Sequence, residues 1–342
     1  MSGLDTPRAL VFGCAGTTLT ADEAMFFRDA NPFGFVLFQR NCASPEQVQA
    51  LVTALRESVD RPDAPVLIDQ EGGRVARLRP PAWPAWPAAR RIGDRARENP
   101  AAGVRAAWIN ARLIAATLFD LGIDVDCAPV CDVPVEGSDN IIGDRAFATD
   151  PLLVAQLAGA ACAGLLAGGV LPVVKHTPGH GRALVDSHRA LPRVTASLAE
   201  LDATDFLPFR ALSGQPLAMV AHVVYEAIDP DHAGSVSAKV IGDVVRQRLG
   251  FNGLLLSDDL SMQALSGTLA ERAAAVSAAG CDIALHCNGD LGEMAAIAAV
   301  TPALAGRSLD RWIRARAGLP SVADIDEGAL RAELDALLGS DA

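Results

Sequence analysis

Residues 151–176 read PLLVAQLAGAACAGLLAGGVLPVVKH, and this stretch contains the structural unit from which the chain is built. The Ala- and Leu-rich segment Pro151–Ala167 predicts a helix, and the pair Gly168 and Gly169 predicts its end. The segment Leu171–His176 begins with four apolar residues, which is typical of a strand buried on both faces of a parallel sheet. The stretch therefore predicts a helix that leads into a parallel strand.

The same alternation of short apolar runs and longer helix-like runs extends over most of the chain. The strand-like segments are Ala9–Cys14, Gly34–Phe38, Pro65–Asp69, Val125–Val130, Leu171–His176, Leu217–Val223, Gly253–Asp258 and Cys281–His286. The helix-like segments include Pro45–Val59, Ala101–Leu121, Pro151–Ala167, Ala238–Leu249 and Leu269–Ala279. Eight β–α units predict an α/β fold of the (β/α)8 TIM-barrel type. A doubly wound open sheet is the main alternative, but no G-x-G-x-x-G follows the first strand.

Domain boundaries are not visible as a change in composition. We therefore expect residues 1–342 to form a single barrel domain, with residues 307–342 as a helical tail packed on it. The segment Arg79–Arg91 begins RPPAWPAWP, which is incompatible with a regular helix and predicts a loop or insertion after the third strand.

Composition and charge exclude several classes of protein. Half of the 342 residues are apolar, and the net charge of −12 without a basic run argues against nucleic acid as a partner. Seven cysteines without a CxxC motif indicate free thiols in a reducing compartment. The N-terminus does not resemble a secretory signal, and no apolar segment suits a membrane span. We expect a cytoplasmic protein that does not bind a membrane. The oligomeric state stays open.

Polar groups end most of the predicted strands. In a barrel these positions surround one mouth, the C-terminal face at which barrel enzymes place their active sites. The groups are Asp69-Gln70-Glu71, Asp132, Lys175-His176, His222, Ser257-Asp258-Asp259 and His286. Such a set indicates a site at this face more strongly than it indicates a contribution to stability.

The segment after the fifth strand has the strongest chemical pattern. Pro178 and Gly179 predict an irregular loop, which ends in Asp186-Ser-His188. A carboxylate two residues from an imidazole can orient the ring and favour its protonated form, as a general acid requires. His176 and His180 have the spacing of a helical zinc site, but the intervening Pro178 and Gly179 exclude that helix. We therefore predict no metal.

Two further strand ends provide acidic and basic groups. Asp258 follows an apolar strand directly, where it can act as a nucleophile, a general base or a metal ligand, while Asp259 is suited to cap the next helix. After the third strand, Asp69 and Arg77 flank a Gly-Gly turn. Carboxylates and guanidinium groups hold vicinal sugar hydroxyls well. Arg145 is another loop arginine, after the fourth strand.

Together these motifs resemble the β-N-acetylglucosaminidases of glycoside hydrolase family 3, and more narrowly the bacterial cytoplasmic enzymes of peptidoglycan recycling. The three segments that carry the resemblance are Asp69-Gln-Glu-Gly-Gly-Arg-Val, Lys175-His-x-Pro-Gly-His-Gly with Asp186-Ser-His188, and Ser257-Asp-Asp-Leu-Ser-Met262. The likeness covers the chain from about Leu10 to the eighth strand. One position departs from it, because Thr177 stands where many relatives carry Phe.

The resemblance implies a single catalytic barrel domain and a retaining mechanism without a cofactor. By resemblance, Asp258 attacks the anomeric carbon and forms a glycosyl-enzyme, and His188, held by Asp186, is the general acid and base. The resemblance assigns binding of the terminal N-acetylglucosamine to Asp69, Arg77, Arg145, Lys175 and His176. The implied substrate is N-acetylglucosamine β-1,4-linked to 1,6-anhydro-N-acetylmuramic acid, with or without its peptide.

Three alternatives stay open at this point. An imidazole repels an incoming anion less than a carboxylate does, so a glycoside phosphorylase that uses phosphate as acceptor is the nearest one. A metal-dependent barrel hydrolase and a non-catalytic sugar-binding protein on the same barrel are the others. Trp83 and Trp86 are candidates for stacking on a sugar.

Overall fold

The structure is a computed structural model that describes residues 6–187 and 190–339. Within these ranges eight parallel strands close into a barrel in the order β1–β2–β3–β4–β5–β7–β9–β10, and β10 pairs with β1. Two short strands, β6 and β8, pair with each other outside the barrel. The strands are β1 (Arg8–Gly13), β2 (Pro32–Leu37), β3 (Val66–Ile68), β4 (Val125–Asp126), β5 (Leu171–Thr177), β6 (Arg193–Val194), β7 (Leu217–Val220), β8 (Val224–Tyr225), β9 (Leu254–Asp259) and β10 (Ile283–His286).

Helices surround the barrel and confirm the predicted (β/α)8 architecture, a single domain with a C-terminal helical tail. They are α1 (Ala21–Ala30), α2 (Pro45–Ser58), α3 (Ala89–Glu98), α4 (Pro100–Asp120), α5 (Pro151–Ala167), α6 (Leu198–Ala203), α7 (Phe206–Ala211), α8 (Leu269–Ala279), α9 (Leu291–Val300), α10 (Gly306–Ala317) and α11 (Glu327–Leu338). Short 3₁₀ turns occupy Gln39–Asn41, Gly143–Arg145 and Gly234–Val236, and Val240–Arg248 forms a π-helix. No helix in the described part of the chain is long and apolar enough to cross a membrane.

Local sequence sets where several helices begin. Helix α2 begins with Pro45, and the Ser44 side chain accepts the amide of Gln47. Helix α8 begins after a capping box, in which Thr268 and Glu271 each bond the backbone amide of the other. It ends at Gly280, whose φ of 104° lies in the left-handed region that glycine adopts without strain.

The strands are apolar at consecutive positions because both of their faces are buried. Val11 points into the barrel with Val36, Leu67 and Val173, whereas its neighbour Phe12 packs in the outer layer between strands and helices. The two layers form one continuous support under the C-terminal mouth, where the polar strand ends lie.

Three segments differ from the sequence-based predictions. Strand β4 ends at Asp126, not at Val130, although single backbone hydrogen bonds to the neighbouring strands continue at Cys127 and Ala128 without a regular register. Strand β7 ends at Val220, not at Val223, since the chain then leaves the barrel to form β8. The helix predicted at 238–249 is the wider π-helix, and no feature of the sequence accounts for that winding.

The region after β3 is irregular through residue 88, so the predicted loop ends three residues earlier than expected, where α3 begins. Trp83 and Trp86 are buried, and helix α11 covers this region. The Arg331 guanidinium lies 4.2 Å from the ring centre of Trp86, and Glu333 pairs with Arg105 at 2.8 Å. Both tryptophans are therefore part of the core that receives the C-terminal helix.

Candidate active site

A cavity of about 260 Å³ opens at the C-terminal ends of the strands. Six of the eight predicted site residues line it: Asp69, Arg77, Arg145, Lys175, His176 and Asp258. Asp186 does not line it, but the next residue, Ser187, does. His188 lies outside the described residues. The barrel thus brings together side chains that are up to 189 positions apart in the sequence, from Asp69 to Asp258.

Asp69 is held by two cations. Its Oδ1 accepts a hydrogen bond from Lys175 Nζ at 2.8 Å, and its Oδ2 accepts one from Arg77 Nη2 at 2.9 Å. Burial alone would raise the pKa of the Asp69 carboxyl, but the charges of Lys175 and Arg77 outweigh burial and hold that pKa well below its ordinary value. Asp69 is therefore an ionised acceptor in a fixed orientation.

Glu71 is a site residue that the sequence reasoning missed. It receives two parallel hydrogen bonds from Arg145, at 2.8 and 2.9 Å, and its Oε1 lies 2.6 Å from Lys175 Nζ. Burial would raise the pKa of Glu71, but Arg145 and Lys175 outweigh burial and lower it to about 2. The signal was present, because Glu71 is part of the same Asp69-Gln-Glu-Gly-Gly motif.

Lys175 and Arg145 stay charged although they are buried. Burial alone would lower the pKa of each, but Asp69 and Glu71 raise that of Lys175 and Glu71 raises that of Arg145. Arg145 Nη2 also lies 3.5 Å from His176 Nε2. The result is a network of alternating charges on one wall of the cavity, in which each side chain fixes its neighbour.

Asp132, after β4, orients His176. Its Oδ2 lies 2.7 Å from His176 Nδ1, and its Oδ1 accepts the backbone amide of His180 at 2.7 Å. Burial would raise the pKa of Asp132, but the His176 imidazole outweighs burial and lowers it. Asp132 and Arg145 lie beside the two ring nitrogens of His176, at 2.7 and 3.5 Å, and together fix the orientation of the ring.

His180 lies beneath the loop that leads to His188. Its Nε2 is 3.2 Å from the Ser187 hydroxyl. Burial and the neighbouring His176 lower the pKa of His180 to about 4, so the ring is neutral at physiological pH. A neutral ring can hold the Ser187 hydroxyl, and with it the base of this loop, without adding charge to the cavity.

Two glycines let the β3 segment turn back over the site. Gly72 and Gly73 have φ values of 95° and 55°, and a Cβ on Gly72 would lie 2.4 Å from the carbonyl oxygen of Pro87. Gln70 closes the turn, because its side-chain oxygen accepts the backbone amides of Arg77 and Leu78 at 2.9 and 3.0 Å. The turn thereby brings Arg77 back to Asp69, with which it forms an ion pair.

The two adjacent aspartates at the end of β9 have different environments. Asp259 accepts hydrogen bonds from the backbone amides of Ser261 and Cys287 at 3.1 and 3.2 Å, so its carboxylate shapes the turn. Asp258 Oδ1 accepts the amide of Asp259 at 2.9 Å. Both aspartates line the cavity. That Asp258, the aspartate nearer the strand, is the one that performs the chemistry stays a prediction.

The histidines at the ends of β7 and β10 do not line the cavity within the described residues. His222 is buried between the Ser235 hydroxyl at 2.6 Å and the Asp259 carbonyl at 3.0 Å, and burial lowers its pKa. His286 is also buried, with Nε2 at 3.3 Å from Glu293. Both support the strand ends, so not all of the polar groups predicted at this mouth line the cavity.

The loop after β5 is anchored before it reaches Asp186. Arg182 donates to Asp205 Oδ2 at 2.7 Å and to the Thr204 hydroxyl at 2.9 Å, and the Tyr225 hydroxyl donates to the Gly179 carbonyl at 2.9 Å. Thr177, the position that departs from the family pattern, is buried and is not among the residues that line the cavity. The replacement of Phe by Thr at this position therefore does not change a residue that lines the described cavity.

The family model for the N-terminal domain of glycosyl hydrolase family 3 matches residues 16–309. A beta-hexosaminidase of Pseudomonas aeruginosa is 40% identical over 298 residues, which are 85% of this chain and 86% of that protein. One of Alkalilimnicola ehrlichii is 40% identical over 285 residues, 82% and 80% of the two chains. NagZ from Neisseria gonorrhoeae, in complex with N-trifluoroacetyl-D-glucosamine, is similar in structure with a TM-score of 0.86 and 32% identity, over 98% of this chain and 99% of that chain.

Proposed function

The chain belongs to glycosyl hydrolase family 3 and is a glycoside hydrolase of the beta-hexosaminidase type, and on that premise we propose that it removes terminal β-linked N-acetylglucosamine with retention of configuration. The NagZ relative that binds N-trifluoroacetyl-D-glucosamine supports an N-acetylglucosamine site here. The proposed natural substrate is N-acetylglucosamine linked to 1,6-anhydro-N-acetylmuramic acid, with or without peptide.

The observation that carries this proposal is the composition of the cavity wall. At about 260 Å³, the cavity lies just below the range of roughly 300–1,000 Å³ typical of small-molecule sites, which suits one terminal sugar. Asp69, Arg77 and Lys175 present fixed acceptors and donors to it. Such groups bind sugar hydroxyls without having to reorganise, so they favour a single orientation of the ring.

The proposed reaction has two steps. Asp258 attacks the anomeric carbon, the bond to the leaving oxygen breaks, and His188 donates a proton to that oxygen. In the second step His188 removes a proton from water, which attacks the same carbon and releases Asp258. Asp186 orients the imidazole in both steps. The role of His188 rests on its motif, since its position is outside the described residues. Because the acid is an imidazole, the spacing rule for carboxylate pairs does not apply.

Azide rescue tests the role of Asp258. We expect Asp258→Gly to lose nearly all activity on an aryl N-acetyl-β-glucosaminide, because no nucleophile forms the intermediate. Azide should restore turnover and yield the α-glycosyl azide, since it attacks directly from the vacated face. Asp259→Gly, with the adjacent carboxylate removed, is the matched control and should not be rescued. Rescue of Asp259→Gly but not of Asp258→Gly would show that Asp259, and not Asp258, is the nucleophile.

Product analysis separates hydrolysis from phosphorolysis. We expect free N-acetylglucosamine as product whether or not phosphate is present, because water is the proposed acceptor. A sugar 1-phosphate that appears only with phosphate would establish the phosphorylase alternative. The same assay with anhydro-muropeptides and with disaccharides that end in ordinary N-acetylmuramic acid measures the preference for the anhydro leaving group.

We place this reaction in peptidoglycan recycling in the cytoplasm. All seven cysteines lie in the described ranges and are free, and six of them are buried, which supports a reducing compartment. Loss of the protein from its source organism should lead to accumulation of N-acetylglucosaminyl-anhydro-muropeptides in the cytosolic fraction, measurable by mass spectrometry. Accumulation outside the cell would contradict the proposed location.

A further inference from the structure

Asp69, Arg77, Arg145 and Lys175 form the proposed sugar-binding wall of the front cavity. A second, smaller cavity of about 40 Å³ lies behind this wall, between the barrel and helices α3, α4 and α5. Arg145, which also lines the front cavity, and its ion-pair partner Glu71 line this rear cavity. Asp126 on β4 and Asn110 on α4 face it as well. In the described part of the chain, Asp126 Oδ2 and Asn110 Oδ1 are both buried without a hydrogen-bond partner.

Asp126 is connected to the front wall through Gln70. The other oxygen of Asp126, Oδ1, accepts the backbone amide of Gln70 at 2.9 Å. The Gln70 side chain in turn holds the backbone of Arg77 and Leu78, so the contact at Asp126 fixes the residue that closes the turn over the site. Gln70 lies between Asp69 and Glu71 in the chain. A shift at Asp126 would therefore move Asp69, which lines the front cavity, and Glu71, which pairs with Arg145 and Lys175.

We propose that Asp126 is a positioning residue for sugar binding that acts as a neutral carboxylic acid, accepting the Gln70 amide with one oxygen and donating its proton into the rear cavity towards Asn110. This inference rests on the proposed function, because it concerns the same sugar site. A protonated carboxyl supplies a donor to a cavity lined by two residues whose buried oxygens, Asp126 Oδ2 and Asn110 Oδ1, both lack a partner. The cavity is large enough for one water molecule to relay that hydrogen bond.

Burial favours the neutral form of Asp126, and the hydrogen bond from the Gln70 amide opposes it. Lys175 also opposes it, but that cation already pairs with two carboxylates at 2.8 and 2.6 Å. Burial is the main reason why the pKa of Asp126 rises to about 7, and Asp69 and Glu71 add to the rise. The titratable and charged groups that face Asp126 from the packed elements are Asp69, Glu71, Cys127, Arg145 and Lys175.

Loss of this proton should weaken the sugar site. An ionised Asp126 adds a third carboxylate beside Asp69 and Glu71 and competes with them for Lys175. It also requires solvation that the rear cavity does not provide. The turn that carries Gln70 would have to shift, so N-acetylglucosamine should bind less tightly as the pH rises through neutrality.

The test is the affinity for N-acetylglucosamine, an uncharged ligand, measured by calorimetry as a function of pH. Asp126→Asn keeps an oxygen for the Gln70 amide and places an NH₂ donor where the neutral acid has its O–H. We compare the rise in the dissociation constant between about pH 6 and about pH 9. This rise should be about fivefold larger for the wild type than for Asp126→Asn, because only the wild type loses the Asp126 proton over this range. Asp94→Asn, an exposed carboxylate on α3, is the matched control and should follow the wild type.

A rescue comparison separates positioning from simple packing. At about pH 6, where Asp126 is largely protonated, Asp126→Asn should bind the sugar more tightly than Asp126→Ala, which has neither the acceptor nor the donor. Equal affinities of these two variants would overturn the proposal. So would identical pH dependence in the wild type and Asp126→Asn. If the wild type binds no N-acetylglucosamine at any pH, the proposed function fails instead.

Infrared spectroscopy gives a readout that does not depend on the sugar or on the folding of a variant. The wild type at about pH 6 should show the carbonyl stretch of a protonated carboxylic acid, and this band should decrease as the pH rises through about 7. The band should be smaller in Asp126→Asn. A wild-type spectrum without any such band would overturn the proposal even if every Asp126 variant failed to fold.

Discussion

At the scale of single residues, the proposed sugar-binding wall is held by Lys175. Its ammonium group contacts Asp69 at 2.8 Å and Glu71 at 2.6 Å and is almost completely buried. A buried ammonium stays charged only where its partners compensate for lost water. The sequence predicted Asp69 and Lys175 from their strand ends. It placed Glu71 at the same strand end but did not predict its ion pairs with Arg145 and Lys175, because these depend on how the β3 turn folds back.

Replacement of Lys175 should be costly for stability as well as for binding. Lys175→Met leaves two carboxylates without their shared cation, so we expect a loss of about 3–5 kcal/mol in the free energy of unfolding and a large loss of sugar affinity. The other lysine of the sequence, Lys239, is exposed, and Lys239→Met is the control. Urea unfolding of both variants measures the difference. If Lys175→Met were as stable as the control, Lys175 would not be the group that offsets the buried charges of Asp69 and Glu71.

Glu71 should make stability depend on acid pH. Its pKa in the folded protein is lowered from 4.5 to about 2, so its contribution is fully present above about 4.5 and is lost as the pH falls towards about 2. The shift corresponds to about 3 kcal/mol at neutral pH. Glu71→Gln should therefore destabilise the protein at about pH 7 and much less at about pH 3. Denaturant unfolding at the two pH values measures this. An equal effect at both would show that the Glu71 charge is not stabilising.

At the scale of elements, the loop after β5 combines a fixed base with an exposed continuation. Arg182 ties the base to Asp205, while Leu184 and Val185 are exposed. The sequence predicted this irregular loop from Pro178 and Gly179, and it predicted most strands from apolar runs. The early ends of β4 and β7 depend on pairing within the closed barrel, which apolar runs do not specify.

Arg182 should affect the chemical step more than sugar binding. Without its contacts to Asp205 and Thr204, the loop base is loosened, whereas the Asp69 and Lys175 wall is untouched. We expect Arg182→Ala to lower kcat about tenfold with a smaller change in KM, because the loop carries the proposed acid and base. Arg193→Ala removes an exposed ion pair with Glu226 and is the control. Steady-state kinetics on an aryl glycoside measures both. A rise in KM alone would place Arg182 in sugar binding.

At the scale of the whole molecule, the repeated strand and helix pattern was sufficient to predict the barrel, because each unit buries its strand on both faces. The sequence also placed the polar strand ends at one mouth. It could not show that His222 and His286 are buried beside the strand ends and do not line the cavity, or that Trp86 packs under the C-terminal helix. Both outcomes depend on contacts between elements far apart in the chain.

The C-terminal helix should stabilise the barrel without contributing to catalysis. Leu334 of α11 is buried, and Leu334→Ala should cost about 2–4 kcal/mol of unfolding free energy through lost packing. Because α11 does not line the cavity in the described residues, kcat/KM of the folded fraction should not change. Asp335→Ala, an exposed neighbour, is the control. Thermal unfolding and kinetics together decide whether the tail is only structural.

The central claim is that Asp258 becomes covalently bound to the sugar while the opposite charge network holds the ring. A fluorinated N-acetylglucosaminyl donor that forms the intermediate quickly and releases it slowly should trap this species. We expect peptide mass spectrometry to find the sugar attached to Asp258, in the peptide that contains Ser257-Asp258-Asp259. A sugar attached to any other residue, or turnover of the donor with inversion and no adduct, would contradict the account.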